Sequence, residues 1–295
     1  MKKFLAILLA AVMLLGLAAC VAPDNNGGNG DGDKGGDAKV TAKVIELDLT
    51  EELYAFGVDK NQPELLTQVN AFIKKIKDNG TLESIMNKYF GGEGEPTLVT
   101  SAELDPSKDQ LVVATNAEFE PFEYTKGDKY LGVDMEIAAL LAQELGKELV
   151  ISHMDFDAVC LSVGQGKCDI AMAGLTVSEE REEHVTFSES YYTASQRIIV
   201  PSNDTVFANC KTAADVETIL KGLDKTTKIG VQNGTTGQLY SEGDADWGFD
   251  GFPVTTVGYK NGSLAVQDML NGNISYVIID AGPAKCITEK INALI

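Results

Sequence analysis

Between residues 111 and 173 short apolar runs alternate with helical stretches, and this alternation restricts the fold to a parallel sheet with helices on its faces. Leu111 to Thr115, Val150 to His153 and Asp169 to Ala173 read as strands. Asp134 to Leu145 has apolar residues at helical spacing and stops at Gly146, and Asp157 to Val163 is a second helix that stops at Gly164. Ser195 to Pro201 is a further strand leading into a helix at Ala213 to Leu220. The alternation then resumes: strand Lys228 to Gln232, a tight loop Asn233 to Gly237, a helix from Gln238, a helix Leu264 to Leu270, a strand Ile274 to Ile279, and a helix Gly282 to Leu294. Two α/β units result, one near residues 105–198 and one from 201 onward. In doubly wound sheets the ligand crevice lies beyond the carboxyl ends of the strands. That rule selects Asn116, Phe119, Gly174 to Arg181, Gly234 to Thr236 and Asp280 as candidates.

The stretch Asp169 to Arg181 reads as a buried strand ended by Gly174, with Ser178 as a helix N-cap and Glu179 and Glu180 suited to the helix dipole. Arg181 breaks that pattern, because a cation in the first turn faces the positive end of the helix. It is one of only two arginines, with Arg197, and guanidinium grips a carboxylate through two parallel hydrogen bonds. Pairing with Glu182 or Glu183 on a solvated face is the alternative. Asp280 ends an apolar strand, where an unpaired carboxylate is costly. It is either a ligand partner or the cap of the helix that begins at Gly282-Pro283.

The front of the chain is different. Met1 to Cys20 has two lysines, an apolar run from Phe4 to Leu17 and small residues before a cysteine, which is a secretory leader. Leu17-Ala18-Ala19-Cys20 resembles the lipobox of bacterial lipoproteins, with Cys20 the lipidated residue; an ordinary or uncleaved leader is the alternative. From Val21 to about Ala38 the chain is Gly, Asn and Asp, a flexible tether spanning roughly 25 Å. No later stretch has the length of a spanning helix. The net charge of −20 at pH 7 repels nucleic acid and anionic lipid, leaving a lipid as the expected membrane attachment. Besides Cys20, Cys160, Cys168, Cys210 and Cys286 permit three disulfide pairings, and Cys160 and Cys168 sit at apolar positions suited to buried thiols. With no Cys-x-x-Cys and only His153 and His184, no metal site is expected.

Six motifs now fall in a telling order: Asn116-Ala-Glu-Phe-Glu-Pro-Phe-Glu-Tyr124, Gly132-Val-Asp-Met-Glu136, Ala173-Gly-Leu-Thr-Val-Ser-Glu-Glu-Arg181, Phe187-Ser188, Gln232-Asn-Gly-Thr-Thr236 and Asp280. In this order and spacing the chain resembles the polar amino-acid-binding proteins of ABC importers over nearly everything after residue 44. The resemblance implies a periplasmic-binding-protein-like α/β fold of type II, with two doubly wound lobes joined by a two-strand hinge and closing on a free amino acid. It implies that Arg181, helped by Thr176 and the backbone of Thr236, takes the α-carboxylate, and that Asp280 takes the α-ammonium. Gly174 lies in the same motif, Phe119 would stack on the ligand side chain and Phe156 would wall the pocket. Core packing is the alternative for Phe156, and still more so for Phe122. Asn116 stands where basic-amino-acid binders often carry an acid, which favours a neutral polar side chain such as that of glutamine, whereas the acidic body favours a cation, so the expected ligand is polar or basic. Glu118, Glu120 and Asp155 either restore negative charge there or are solvated loop acids. The implied partner is a separate permease in the membrane, with no cofactor and no chemistry performed. A dehydratase-like enzyme on the same fold and an extracellular sensor are the rivals.

The relatives end in a strand returning through the hinge and two helices, whereas this chain carries the similar segments, Val44 to Val58, Glu64 to Ile76 and Asn79 to Phe90, at its front. The expectation is a circular permutation, with Gly91 to Gln110 as the joining linker. Roughly 20 residues reach some 60 Å when extended, so closure within one chain is geometrically easy and a monomer is favoured over a swapped dimer. The expected division is leader 1–19, lipidated Cys20 and tether 20–43, first lobe 51–199 including permuted segment 51–90 and linker 91–110, and second lobe 44–50 with 200–295. Leu53 to Val58 and Arg197 to Val200 are the expected hinge crossings.

Overall fold

The computed structural model describes residues 39–295; the leader, Cys20 and most of the tether lie outside the described residues. Two five-stranded sheets carry the architecture. In the first, Gln110–Thr115 runs parallel to Glu148–His153, with Leu111 opposite Leu149, and parallel to Ile170–Ala171 on its other side. Gly57–Asp59 and Val185–Phe187 extend this sheet antiparallel. In the second, Lys228–Gln232 lies parallel to both Thr255–Tyr259 and Tyr276–Asp280, and Gln196–Pro201 and Ala42–Ile45 continue antiparallel beyond them.

The helices form where the apolar spacing demands it. Val133–Leu145 buries Val133, Met135, Ile137, Ala138 and Leu141 on the first sheet and ends at Gly146, whose φ of +70° suits a left-handed cap. Pro63–Asp78 starts with proline at its first turn and buries Leu65, Val69, Phe72, Ile73 and Ile76, three or four residues apart. Thr81–Phe90 adds Leu82 and Ile85 to the same core, and Phe90 packs half-buried beside them. Each such fully buried side chain contributes about 1.5–3 kcal/mol. A second core gathers Ile198, Val200, Val216, Leu220, Ile229, Val231 and Ile278 around the other sheet.

The two sheets are joined by a ribbon in which Glu52–Tyr54 pairs antiparallel with Tyr192–Ala194. Glu52–Tyr54 overlaps the expected crossing Leu53 to Val58. The other falls at Tyr192–Ala194, because all of Gln196–Pro201 is hydrogen-bonded into the second sheet. Ser178 caps the four-residue helix Glu179–Glu182 by accepting from the Arg181 N–H, as its sequence position suggested. The aromatic loop after residue 116 is instead a small sheet of Glu118–Phe119, Glu123–Lys126 and Lys129–Leu131, and Thr255–Tyr259 is a strand the alternation did not reveal. The linker segment touches two sheets: Val99 bridges to Tyr130 of the small sheet, and the Ala102 N–H donates to the Leu149 carbonyl of the first. The ends of the described chain meet: Lys39 Nζ donates to the Ile295 carbonyl at 3.0 Å, and Asn292 exchanges two hydrogen bonds with the Ala42 backbone.

Candidate functional site

Arg181 projects from its short helix between the two sheets. Nη1 donates to the Thr176 carbonyl at 2.6 Å and Nη2 to the Gly234 carbonyl at 2.9 Å, so the guanidinium joins a loop of the first sheet to a loop of the second. Its carbon lies 5.2 Å from the centroid of the Phe156 ring, within cation–π range. Among the described residues no carboxylate lies within salt-bridge distance of it, and Glu182 and Glu183 are not its partners. The other arginine is fully committed, to Glu46 and to Asp48. A cavity of about 300 Å³ opens beside Arg181, and Phe156, Gly234, Thr236 and Trp247 contribute to its walls. Thr236 is buried at the first turn of the helix Thr236–Glu242.

A second pole, centred on Asp280, is not part of the lining of that cavity. Asp280 is buried at the last position of Tyr276–Asp280, and the Tyr54 hydroxyl donates to it. As the residue preceding Ala281–Asn292 it holds the cap position, but its side chain makes no cap hydrogen bond. Burial, with the Glu52 charge second, pushes its carboxyl up to about 7, against the hydrogen bonds from Tyr54 and Gln196. Glu52 is itself buried and accepts from Thr50, from Gln196 Nε2 at 3.0 Å and from the Thr176 hydroxyl at 2.8 Å. Thr176 therefore links the poles, its carbonyl bound to Arg181 and its hydroxyl to Glu52.

Gly174 is required where it stands. Its φ is +53°, and an added Cβ would lie 3.1 Å from the Phe119 ring and 3.2 Å from that of Tyr54. Its N–H donates to Asp134, which also accepts from the Tyr191 hydroxyl at 2.6 Å. Burial raises Asp134 to about 7 in spite of these bonds. Glu123, opposite Phe119 across the small sheet, is wholly buried with neither carboxylate oxygen hydrogen-bonded. Burial, then Asp134 and Asp280, drive its carboxyl well above the usual range. Phe119 is buried and stacks on Phe122 at 6.2 Å.

Asn116 is occupied within the protein: its Nδ2 donates to the Met154 carbonyl at 2.8 Å and its Oδ1 accepts from Gln232 Nε2 at 3.2 Å. The nearby acids have partners across the crevice, Asp155 with Lys260, Glu118 with Asn261 and Glu120 with Lys290. Cys160, Cys168, Cys210 and Cys286 carry free thiols. Phe156, Arg181 and Thr236 thus share one cavity, Gly174 lies against the Phe119 and Tyr54 rings with Tyr54 in turn bound to Asp280, and Thr176 lies between the groups. Glu52, Tyr54 and Glu123 escaped the sequence reading. The first two belong to a three-residue strand too short to show periodicity, and Glu123 stood in a loop of many acids.

The profile of the bacterial extracellular solute-binding proteins, family 3, matches residues 10–92 and 111–271. The arginine-binding extracellular protein ArtP of Bacillus subtilis is 36% identical over 95 residues, 32% of this chain and 37% of that protein. A solved structure described as an ancestral arginine-binding protein bound to arginine superposes with a TM-score of 0.52 at 31% identity, over 62% of this chain and 75% of that one. A second, an ancestral amino acid-binding protein described as a precursor of cyclohexadienyl dehydratase, gives 0.52 at 26% identity over 72% and 78%. The chain spans between 37 and 65% of the lengths of the curated relatives it matches.

Proposed function

The chain belongs to family 3 of the bacterial extracellular solute-binding proteins, and from that premise we propose that it is a receptor for a free polar or basic amino acid. The observation that carries this reading is Arg181: a guanidinium with no carboxylate partner among the described residues, stacked on Phe156 and spanning the two sheets. A ligand α-carboxylate would take up the donors of this fork, helped by Thr176 and the Thr236 backbone, while Asp280 would receive the α-ammonium. Gly174 gives the ligand close access beside Phe119. The arginine-binding relatives favour a basic ligand, as does the surplus of buried acids, whereas the amide pair Asn116–Gln232 favours a neutral polar one.

We further propose delivery to an ABC permease, attachment through a lipid on Cys20, and action as a monomer without chemistry. The two lobes would meet at the Glu52–Tyr54 and Tyr192–Ala194 ribbon, and the chain would be a circular permutation of its relatives. The permutation reading is supported by the front segment supplying strands to both sheets of its own chain and by the adjoining chain ends. Titration calorimetry of ligand-stripped protein against the common L-amino acids tests the receptor reading. Heat from arginine, histidine or glutamine is expected, and heat from none of the panel rejects it. Competition between arginine and glutamine at two salt concentrations separates a long-range charge preference, which salt screens, from a hydrogen-bonded one.

A further inference from the structure

Four carboxylates converge on the ammonium end of the crevice without one cation among them. Glu52 is held by Thr50, Gln196 and Thr176, Asp280 by Tyr54 and Gln196, and Asp134 by Tyr191 and the Gly174 N–H. Glu123 has no hydrogen bond at all. All four are buried, and among the described residues no Lys, Arg or His pairs with any of them. Tyr192 also faces Asp280, with Arg197 beyond it, but that guanidinium is already neutralised by Glu46 and Asp48. Four unpaired negative charges in one dry cluster are untenable, because each buried ion costs several kcal/mol unless it is paired. Protons must therefore occupy part of the cluster whenever no other cation does.

We propose that ligand binding here is a cation-for-proton exchange, in which the ammonium group of the amino acid enters at Asp280 and the proton Asp280 carries in the empty protein leaves for the buffer. The inference rests on the receptor reading above and adds its regulation. The charge balances, one cation arriving as another departs, with no bond made or broken in the ligand.

The sign follows from the geometry. Burial and Glu52 hold the Asp280 carboxyl near 7, so the empty protein keeps the proton below that pH. An ammonium pairs with the charged carboxylate and expels it. Affinity therefore falls as the pH drops below 7, by about tenfold per pH unit for one proton, and levels off above it. Because the carboxylates are coupled, the midpoint belongs to the cluster as a whole.

The test is calorimetry of the stripped full chain at pH 6 with the panel of common L-amino acids, repeated in buffers of different ionisation enthalpy. For the amino acid that binds, the dependence of heat on buffer should give about one proton released per ligand. Heat that is the same in every buffer overturns the exchange while leaving the receptor reading intact, and heat from no amino acid rejects the receptor and the exchange with it. Two variants then place the proton. Tyr54→Phe removes a donor that favours the charged carboxylate and should move the affinity midpoint to higher pH. Glu52→Gln removes a repelling charge and should move it lower. A midpoint that stays fixed in both places the titrating group elsewhere and overturns the proposal.

Discussion

The two ends of the crevice are built on opposite principles. At the Asp280 end the four carboxylates are buried, Glu52, Glu123 and Asp280 on strands and Asp134 on the helix Val133–Leu145, and all are of one sign of charge. At the Arg181 end the cation is partly exposed, stands on a helix of four residues, and is satisfied only by two backbone carbonyls. The first end has too much charge and no freedom, and the second has one charge and waits for a partner. On the receptor reading proposed above, an amphoteric ligand would answer both.

The largest break in that comparison is Asp280→Asn. Removing the charged partner from a closed site costs roughly 2–5 kcal/mol, so calorimetry should show affinity lower by about thirtyfold or more. The neutral variant should also lose the pH dependence, since the proton holder is gone. Arg181→Lys comes next. One point donor cannot satisfy Thr176, Gly234 and a carboxylate together, and a loss of about 2 kcal/mol is expected. Near-normal affinity in this variant would mean that the exposed end contributes little to binding.

Phe156→Ala should cost less, about 1 kcal/mol, through loss of the stacked ring that orients the guanidinium. Adding it to Arg181→Lys should be less than additive, because the two side chains act as one unit. The smallest effect is at the rim, where Lys290 meets Glu120 in solvent. Lys290→Gln should change affinity by no more than about 0.5 kcal/mol, and that difference should vanish in high salt.

The two ends also differed in how readily the sequence disclosed them. Arg181 was visible as a misplaced cation after a strand, and Asp280 as an acid ending an apolar run, because each signal is local. Val133–Leu145 and Tyr276–Asp280 were legible for the same reason, through periodicity or unbroken apolar length. Tyr54 was not, since its meaning comes from Asp280, 226 residues away. Glu52 likewise acquires its role only when Thr176 and Gln196 are brought to it. The strand Glu123–Lys126 was hidden because its partners lie in a sheet with strands of only two and three residues. Asn116 was correctly placed at a strand end, but its amide is turned to Met154 and Gln232, a choice that composition cannot reveal.

The ribbon that joins the sheets has a mechanical consequence. Tyr54 belongs to it and touches Asp280 directly, whereas Gly234 lies against Asp157 and accepts from the outstretched Arg181 side chain. Any rotation of one sheet against the other about this ribbon acts as a lever whose fulcrum lies beside Asp280. Near the fulcrum the displacement is small, so the acidic end keeps its shape through the swing. At the far arm the same angle becomes a wide sweep that parts Arg181 from Gly234. If the proposed receptor reading holds, an incoming amino acid would meet a fixed berth for its ammonium first, and its carboxylate would be the part that draws the arm shut.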